Sequence, residues 1–447
     1  MLKEEKGNEM IDQSKSLTEQ FFTFAIPATI SMILTSLINV VDALFIGRYI
    51  GEQAIAGISL ATPIFMLFLG LTLMFSVGGS VKASHALGAK NIAQARDDFN
   101  QCFVTVAILM FFLLVILILF LDPIINFLAS GKSVGNLTKQ AACIMRFFYP
   151  IMMLNITFNV FLQIQGKPHI PLFFGLAGNL LNVILDYLFI VKFNFGIKGA
   201  AFASGISVLL PFCMNLSLYL SNKNALHFHK FTFNKEKLFE SIWNGSSELI
   251  GNFSVAISFF LINTILLKYS GSSNVAAYVI LIHILNLQGM IITGFTIGLA
   301  PLVGYYYGAK QKEKIIGVYG VSVKSGIVVG IFTWITIMLF HSFLAEMFSP
   351  GSKTVLDLAE TYYTITTVAC LFNGFNLLTS TCFTAMGKPK ESFAISILRS
   401  VVIYLLLAAV LPRFLKGDSV WYFYPTAEIV TVFVSAILFT KYWKKIK

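Results

Sequence analysis

Charge is scarce in this chain of 447 residues: Asp, Glu, Lys and Arg together make up 12%, about half of the roughly 25% usual in soluble domains. That excludes the three soluble domains that length alone would suggest at roughly 150 residues each, and with them a cytosolic enzyme. Only five cysteines are present, Cys102, Cys143, Cys213, Cys370 and Cys382. All fall within or at the ends of apolar segments, with no CxxC pair and no histidine at ligand spacing, so neither a disulfide framework nor a zinc site is supported. The chain has no His-Glu-x-x-His pair, no Gly-x-Ser-x-Gly elbow and no acidic cluster suited to magnesium-dependent lipid chemistry. It is therefore not read as an enzyme, and no cofactor is expected. Gly131-Lys132-Ser133 has the ending of a phosphate-binding loop, but Asn126 stands where the loop's first glycine belongs and apolar runs flank the segment. With no ATPase domain, an energy source must be an ion gradient or an outside partner.

What is abundant is apolar surface. Ala, Val, Ile, Leu, Met, Phe, Trp, Tyr and Cys make up 57% of the chain, and mean hydropathy is +0.79. Stretches of about 20 apolar residues place twelve membrane helices near 21–46, 58–80, 99–121, 139–162, 170–192, 199–221, 245–269, 276–300, 321–345, 356–382, 392–413 and 421–440. Gly, Pro and Asn within several of these are tolerated where neighbouring helices or water satisfy the freed backbone groups. The polar segment Met1 to Gln20 precedes a span too long for a cleaved signal sequence, so it is expected to be retained. The fold class is all-α and integral to the membrane.

The net charge of +11 reads as topology. If both termini are cytoplasmic, 21 of the 32 Lys and Arg lie on that side and nine on the other, with Arg146 and Arg399 inside spans. The positive-inside rule then selects cytoplasmic termini and an even number of spans. The basic residues serve the bilayer and its anionic lipids, not nucleic acid, and no obligatory protein partner is indicated. The excess of Lys over Arg, 27 to 5, fits a low-GC bacterial source and its cell membrane.

The two halves resemble each other at an offset of 220 to 221: Gly88-Ala89-Lys90 with Gly308-Ala309-Lys310, Gly51 with Gly271, and Gly166-Lys167-Pro168 with Gly387-Lys388-Pro389. Such spacing predicts a duplication. Six helices per copy make both copies start on the same side, related by an axis along the membrane normal. The expected organisation is a six-helix lobe over 1–220, a cytoplasmic linker over 221–244 and a second six-helix lobe over 245–447.

A carboxylate within hydrocarbon costs several kcal/mol, so acidic residues inside spans mark functional sites by default. Asp42 in the first helix and Asp186 in the fifth are the clearest, with Asn182 one turn from Asp186 on the same face. Counted from the outer helix ends at about 1.5 Å per residue, Asp42, Asp186 and Ser204 share one level in the outer half of the bilayer. Two carboxylates, an amide and a hydroxyl either hold a small cation such as Na⁺, at Asp42, Asn182 and Asp186, or share a proton. The bland alternative is that they only fix helix packing.

The second lobe has Ile262 and Leu407 at the positions equivalent to Asp42 and Asp186, so the coupling chemistry is not duplicated. Its own polar residues are Glu248, expected as a water-facing carboxylate at a helix start with substrate contact as the alternative, His283, expected as a packing histidine ahead of a proton carrier or substrate contact, and Glu428. Glu428 either contacts substrate or ion, or pairs with a neighbour such as Arg399. Arg146 is expected to be structural or to snorkel toward the outer face. Pro27, early in the first helix, gives a fixed kink or a hinge. Gly294/Gly298 and Gly326/Gly330 read as close helix packing.

Taken together, these residues resemble the multidrug and toxic compound extrusion (MATE) family across essentially the whole chain. The resemblance rests on Pro27 with Asn39-Val40-Val41-Asp42 and Gly47 to Gly51, Leu87-Gly88-Ala89-Lys90, Gly166-Lys167-Pro168, Leu181-Asn182 to Asp186-Tyr187, and Gly199-Ala200-Ala201 leading to Ser204. Gly245-Ser246-Ser247-Glu248 is similar to the branch of staphylococcal-type multidrug pumps and DNA-damage-inducible relatives. The resemblance implies a twelve-helix, two-lobed antiporter exporting cationic amphipathic small molecules in exchange for H⁺ or Na⁺. It implies an ion site at Asp42, Asn182, Asp186 and Ser204, the last keeping the hydroxyl of the family's threonine. A lipid-linked glycan flippase is the alternative on the same fold; its anionic cargo would favour a cavity lined by Arg and Lys. An intramembrane lipid-modifying enzyme ranks below both.

Overall fold

The computed structural model describes residues 11–129, 134–221, 224–269, 272–348 and 353–446. Among these there is no strand, and twelve long helices follow in order: α1 Leu17–Tyr49, α2 Glu52–Gly88, α3 Ile92–Ala129, α4 Gly135–Ile164, α5 His169–Lys192, α6 Gly196–Leu220, α7 Lys235–Tyr269, α8 Ser272–Gly308, α9 Lys312–Phe348, α10 Val355–Ala385, α11 Pro389–Val410 and α12 Phe423–Ile446. Eleven segments of the described chain are long and apolar enough to cross a membrane, and α7 is long enough as well. The Gly131-Lys132-Ser133 segment and Gly271 lie outside the described residues.

Most helices outrun their apolar windows. Thus α2, α8 and α9 each run for 37 residues, because polar turns continue the helix on local signals that hydropathy does not carry. At the start of α1, Ser16 Oγ accepts from the Glu19 N–H while Glu19 Oε2 accepts from the Ser16 N–H, a reciprocal capping box. Before α3, Asn91 Oδ1 accepts the Gln94 N–H at 3.1 Å. The largest departure is α7, which starts at Lys235, ten residues before the expected boundary. Its first turns are polar but tied down, Lys237 to Asp98 at 2.9 Å and Lys82 to Glu240. Glu248 is therefore mid-helix and half-buried, which corrects its reading as a helix-start carboxylate facing water.

The stretch before α7 packs as a strap along α3 and α4. Arg96 donates to the Ala225 carbonyl, Asn100 to that of His227, and Gln101 exchanges hydrogen bonds with the backbone of Asn234. Phe228 packs edge-on or tilted among the rings of Phe99, Phe103, Phe158 and Tyr219. Lys167 donates to Asn224 Oδ1, and burial there holds its amine below the usual lysine range.

The duplication is present in the backbone. Lys90 and Lys310, each just past the end of its helix, both adopt positive φ, 60° and 59°. Gly166 and Gly387 do the same at 75° and 68°, a conformation glycine reaches without a steric penalty. The bonds closing these turns correspond too: Lys167 N–H to Leu162 and Lys388 N–H to Phe383.

Packing divides the chain into two compact units. The first holds Ile30–Leu249 and Gly304–Lys310; the second holds Lys15–Thr29, Ile250–Val303 and the chain from Gln311 onward.

Candidate ion-coupling site

The site lies in the first unit, and the packing of α5 on α6 prepares it. Gly178, Asn182 and Asp186 recur every four residues and form the buried face of α5, together with Pro171. Gly178 makes the close approach possible, since a Cβ there would stand 3.0 Å from the Pro211 ring and 3.2 Å from the Ser207 carbonyl oxygen. After Asp186 the helix widens into a π turn, Tyr187–Lys192, a feature common at functional sites because it breaks the ordinary hydrogen-bond ladder.

Asp186 is 0% exposed. Its carboxyl lies within hydrogen-bonding reach of that of Asp42 on α1. No N–H or O–H of the described residues donates to either Asp186 oxygen or to Asp42 Oδ1. Farther along each helix, Ile46 and Ile190 enter one apolar cluster with Ala54, Ala141, Ile197, Ala200 and Ala201. The carboxyl pair is thus dry on that side, and two facing carboxylates in such a place repel unless a proton or cation sits between them.

Of the residues expected at this site, the structure brings Asp42 and Asp186 together. Asn182 is buried, 8% exposed, one turn away, but its amide does not reach Asp186. Ser204 on α6 is half-buried, and its carbonyl accepts from Ser207 Oγ. Pro27 sits inside α1, which is helical throughout. Among the described residues no three or more His, Cys, Asp and Glu side chains gather as metal ligands do.

In the second unit Glu428 is 1% exposed and paired with Arg399, with Nη2 to Oε1 at 2.5 Å. Asn376 donates to its other oxygen at 2.8 Å, Arg399 also reaches Asn373, and Asn373 donates to Tyr424. Arg399 lies on a π turn, Leu398–Val402. Of the alternatives for Glu428, the ion pair is the one present. His283 is exposed on α8, which corrects its reading as a packing histidine. The Arg146 guanidinium lies 4.9 Å from the Phe147 ring, and its Nε is buried without an acceptor.

Two polar clusters escaped the sequence reading. Asn215, fully buried on α6, donates to Asn155 and Asn159 of α4 at 2.8 and 3.0 Å; their spacing of four was the visible signal. The amides around the Arg399–Glu428 pair, Asn373 and Asn376, gave no comparable signal, because their convergence depends on how three helices pack.

The MatE family model matches the chain twice, over residues 27–188 and 249–410, one copy in each repeat. The multidrug export protein MepA of Staphylococcus aureus (strain bovine RF122) is 25% identical over 388 residues, covering 86% of this chain and 85% of its own. A solved structure described as the outward-facing conformation of a multidrug resistance MATE family transporter of the MOP superfamily superposes with a TM-score of 0.90 at 21% identity, covering 97% of both chains. A MOP superfamily transporter from Pyrococcus furiosus, described as having reversed polarity in its binding pocket, gives 0.88 at 21% identity over 95% of both.

Proposed function

Since the chain belongs to the MatE family, a family of membrane transporters, we propose that it exports cationic amphipathic small molecules across the cell membrane in exchange for a cation bound at Asp42 and Asp186. The observation carrying this reading is the facing carboxyl pair, of which both Asp186 oxygens and Asp42 Oδ1 are buried without a donor among the described residues. Such a pair is stable only with a positive species between its oxygens, and direct approach of the two groups favours a proton over Na⁺, which would need room for several more oxygen ligands. Asn182, one turn from Asp186 on α5, and Ser204 on α6 are the further oxygen groups for the occupied state.

Transport proceeds by alternating access, with drug and proton stabilising opposite-facing states. A ligand moves that equilibrium only by its differential affinity for the two states. Proton arrival at the pair removes a charge that a cationic drug would otherwise use, so the two compete for one negative site. The excess of Lys and Arg on one side supports cytoplasmic termini. Arg399 is neutralised by Glu428, which leaves little in the second unit to attract an anionic lipid-linked glycan.

Wild type and Asp186→Asn in liposomes, with ethidium movement followed under separately imposed pH and Na⁺ gradients, test the proposal. A pH gradient is expected to drive the wild type and not the variant. Drive by Na⁺ alone would assign the pair to sodium. Equal coupled transport by both proteins would remove the pair from the mechanism, and no dye movement under either gradient would favour the flippase.

A further inference from the structure

The Asp42–Asp186 pair stands just inside one end of the first unit, the end at which α1 and α5 finish and α2, α4 and α6 begin. Four residues nearer that end, Ile46 and Ile190 meet Ala54 of α2, Ala141 of α4 and Ile197 of α6 in one cluster, each at most 5% exposed. Five of the first six helices thus give an apolar side chain to one layer. Small residues let it close. A Cβ on Gly57 of α2 would stand 3.1 Å from Leu137 Cβ and 3.3 Å from the Thr138 backbone nitrogen, both of α4. One on Gly199 of α6 would stand 3.0 Å from the Phe189 carbonyl oxygen of α5. Thr138, fully buried one turn before Ala141, donates its hydroxyl to the Val134 carbonyl at 3.1 Å, so it offers no relay to the carboxyls.

The second unit has the same layer without the carboxyls. At the repeat offset of 220 to 221, Leu266 and Leu411 replace Ile46 and Ile190, while Ile262 and Leu407 replace Asp42 and Asp186. All four belong to or pack against one apolar cluster. The apolar end is therefore common to both repeats, and in the first unit it stops at the carboxyls. What differs is what lies behind it: aliphatic side chains in one unit, a titratable pair in the other.

A pair that exchanges a proton for drug cannot also exchange protons freely with the solution at that end. A proton entering there and leaving on the far side of the pair would cross with no drug moved. A water path through aliphatic side chains is costly to open, since water finds no hydrogen-bond partner among them. We propose that Ile46 and Ile190, with the alanines around them, form a proton seal over the Asp42–Asp186 pair, and that this layer sets how tightly transport is coupled. The inference rests on the proton reading of the pair given above.

The test is proton leak in the absence of drug. Wild type and variants are reconstituted in liposomes holding a pH indicator, a pH step is imposed with the membrane potential clamped, and internal pH is followed. Ile46→Thr with Ile190→Thr is expected to leak about tenfold faster than wild type. Ile46→Val with Ile190→Val, of the same shape without the hydroxyls, is expected to stay tight, as is Leu266→Thr with Leu411→Thr in the second unit. Adding Asp186→Asn to the threonine pair is expected to stop the leak. Ala200→Ser adds a hydroxyl to the same cluster without removing side-chain volume, and is expected to leak as well, so the test survives a threonine pair that does not fold. Tight vesicles with the threonine pair or with Ala200→Ser would overturn the seal. So would a leak that survives Asp186→Asn, or an equal leak from the leucine positions. Wild type that moves ethidium under a Na⁺ gradient and not under a pH gradient would remove the proton reading itself, and the seal with it.

Discussion

Asp42 and Asp186 face each other from α1 and α5, and no described residue donates to either Asp186 oxygen or to Asp42 Oδ1; four residues beyond each, Ile46 and Ile190 share one apolar cluster. The arrangement keeps a charge-sensitive pair against a dry wall. An amide at position 186 supplies the missing donor to Asp42. Asp186→Asn is therefore expected to raise stability by about 1 kcal/mol while abolishing coupled transport. Thermal unfolding in detergent, beside the liposome assay, checks both; a loss of stability above about 2 kcal/mol would mark the pair as structural.

Gly178 sets how near α5 lies to α6, and hence where Asn182 and Asp186 stand. Gly178→Val must displace Pro211 or the helix itself. A cost of about 1–3 kcal/mol with impaired ethidium efflux is expected, whereas a valine accepted with wild-type stability and efflux would show that the close approach does not position the site.

The buried Arg399–Glu428 pair predicts a non-additive double mutant. Glu428→Ala leaves a half-buried guanidinium with Asn373 as its remaining side-chain acceptor among the described residues and is expected to cost about 3 kcal/mol. Arg399→Leu combined with Glu428→Leu should recover most of that, because a satisfied ion pair in the interior is often replaceable by apolar packing. Denaturant unfolding of the two singles and the double decides it; additive losses would show that the groups act separately.

The twelve helices, the duplication and the first-unit acidic pair were legible because each rests on a local or periodic signal: apolar windows, recurring Gly-Ala-Lys and Gly-Lys-Pro turns, and carboxylates with no business in hydrocarbon. Glu248 was misplaced because hydropathy starts a span where polarity ends, whereas α7 begins earlier on the strength of tertiary ion pairs at Lys237 and Glu240. The π turns after Asp186 and around Arg399 have no composition signature.

Topology yields the remaining prediction. Lys90 and Lys310 end α2 and α8 in the same left-handed turn, and six helices separate them, so both must face the same side. Asn194, three helices after Lys90 and also at positive φ, must face the other. All three are exposed, and each tolerates a small side chain at its turn. Lys90→Cys, Lys310→Cys and Asn194→Cys, made in a Cys213→Ser background because Cys213 is the exposed native thiol among the described residues, are to be treated in intact cells with a membrane-impermeant maleimide. Only Asn194→Cys is expected to label before lysis and all three after it. Labelling of Lys90→Cys from outside would invert the orientation drawn from the Lys and Arg distribution, and opposite behaviour of Lys90→Cys and Lys310→Cys would break the even-span repeat itself.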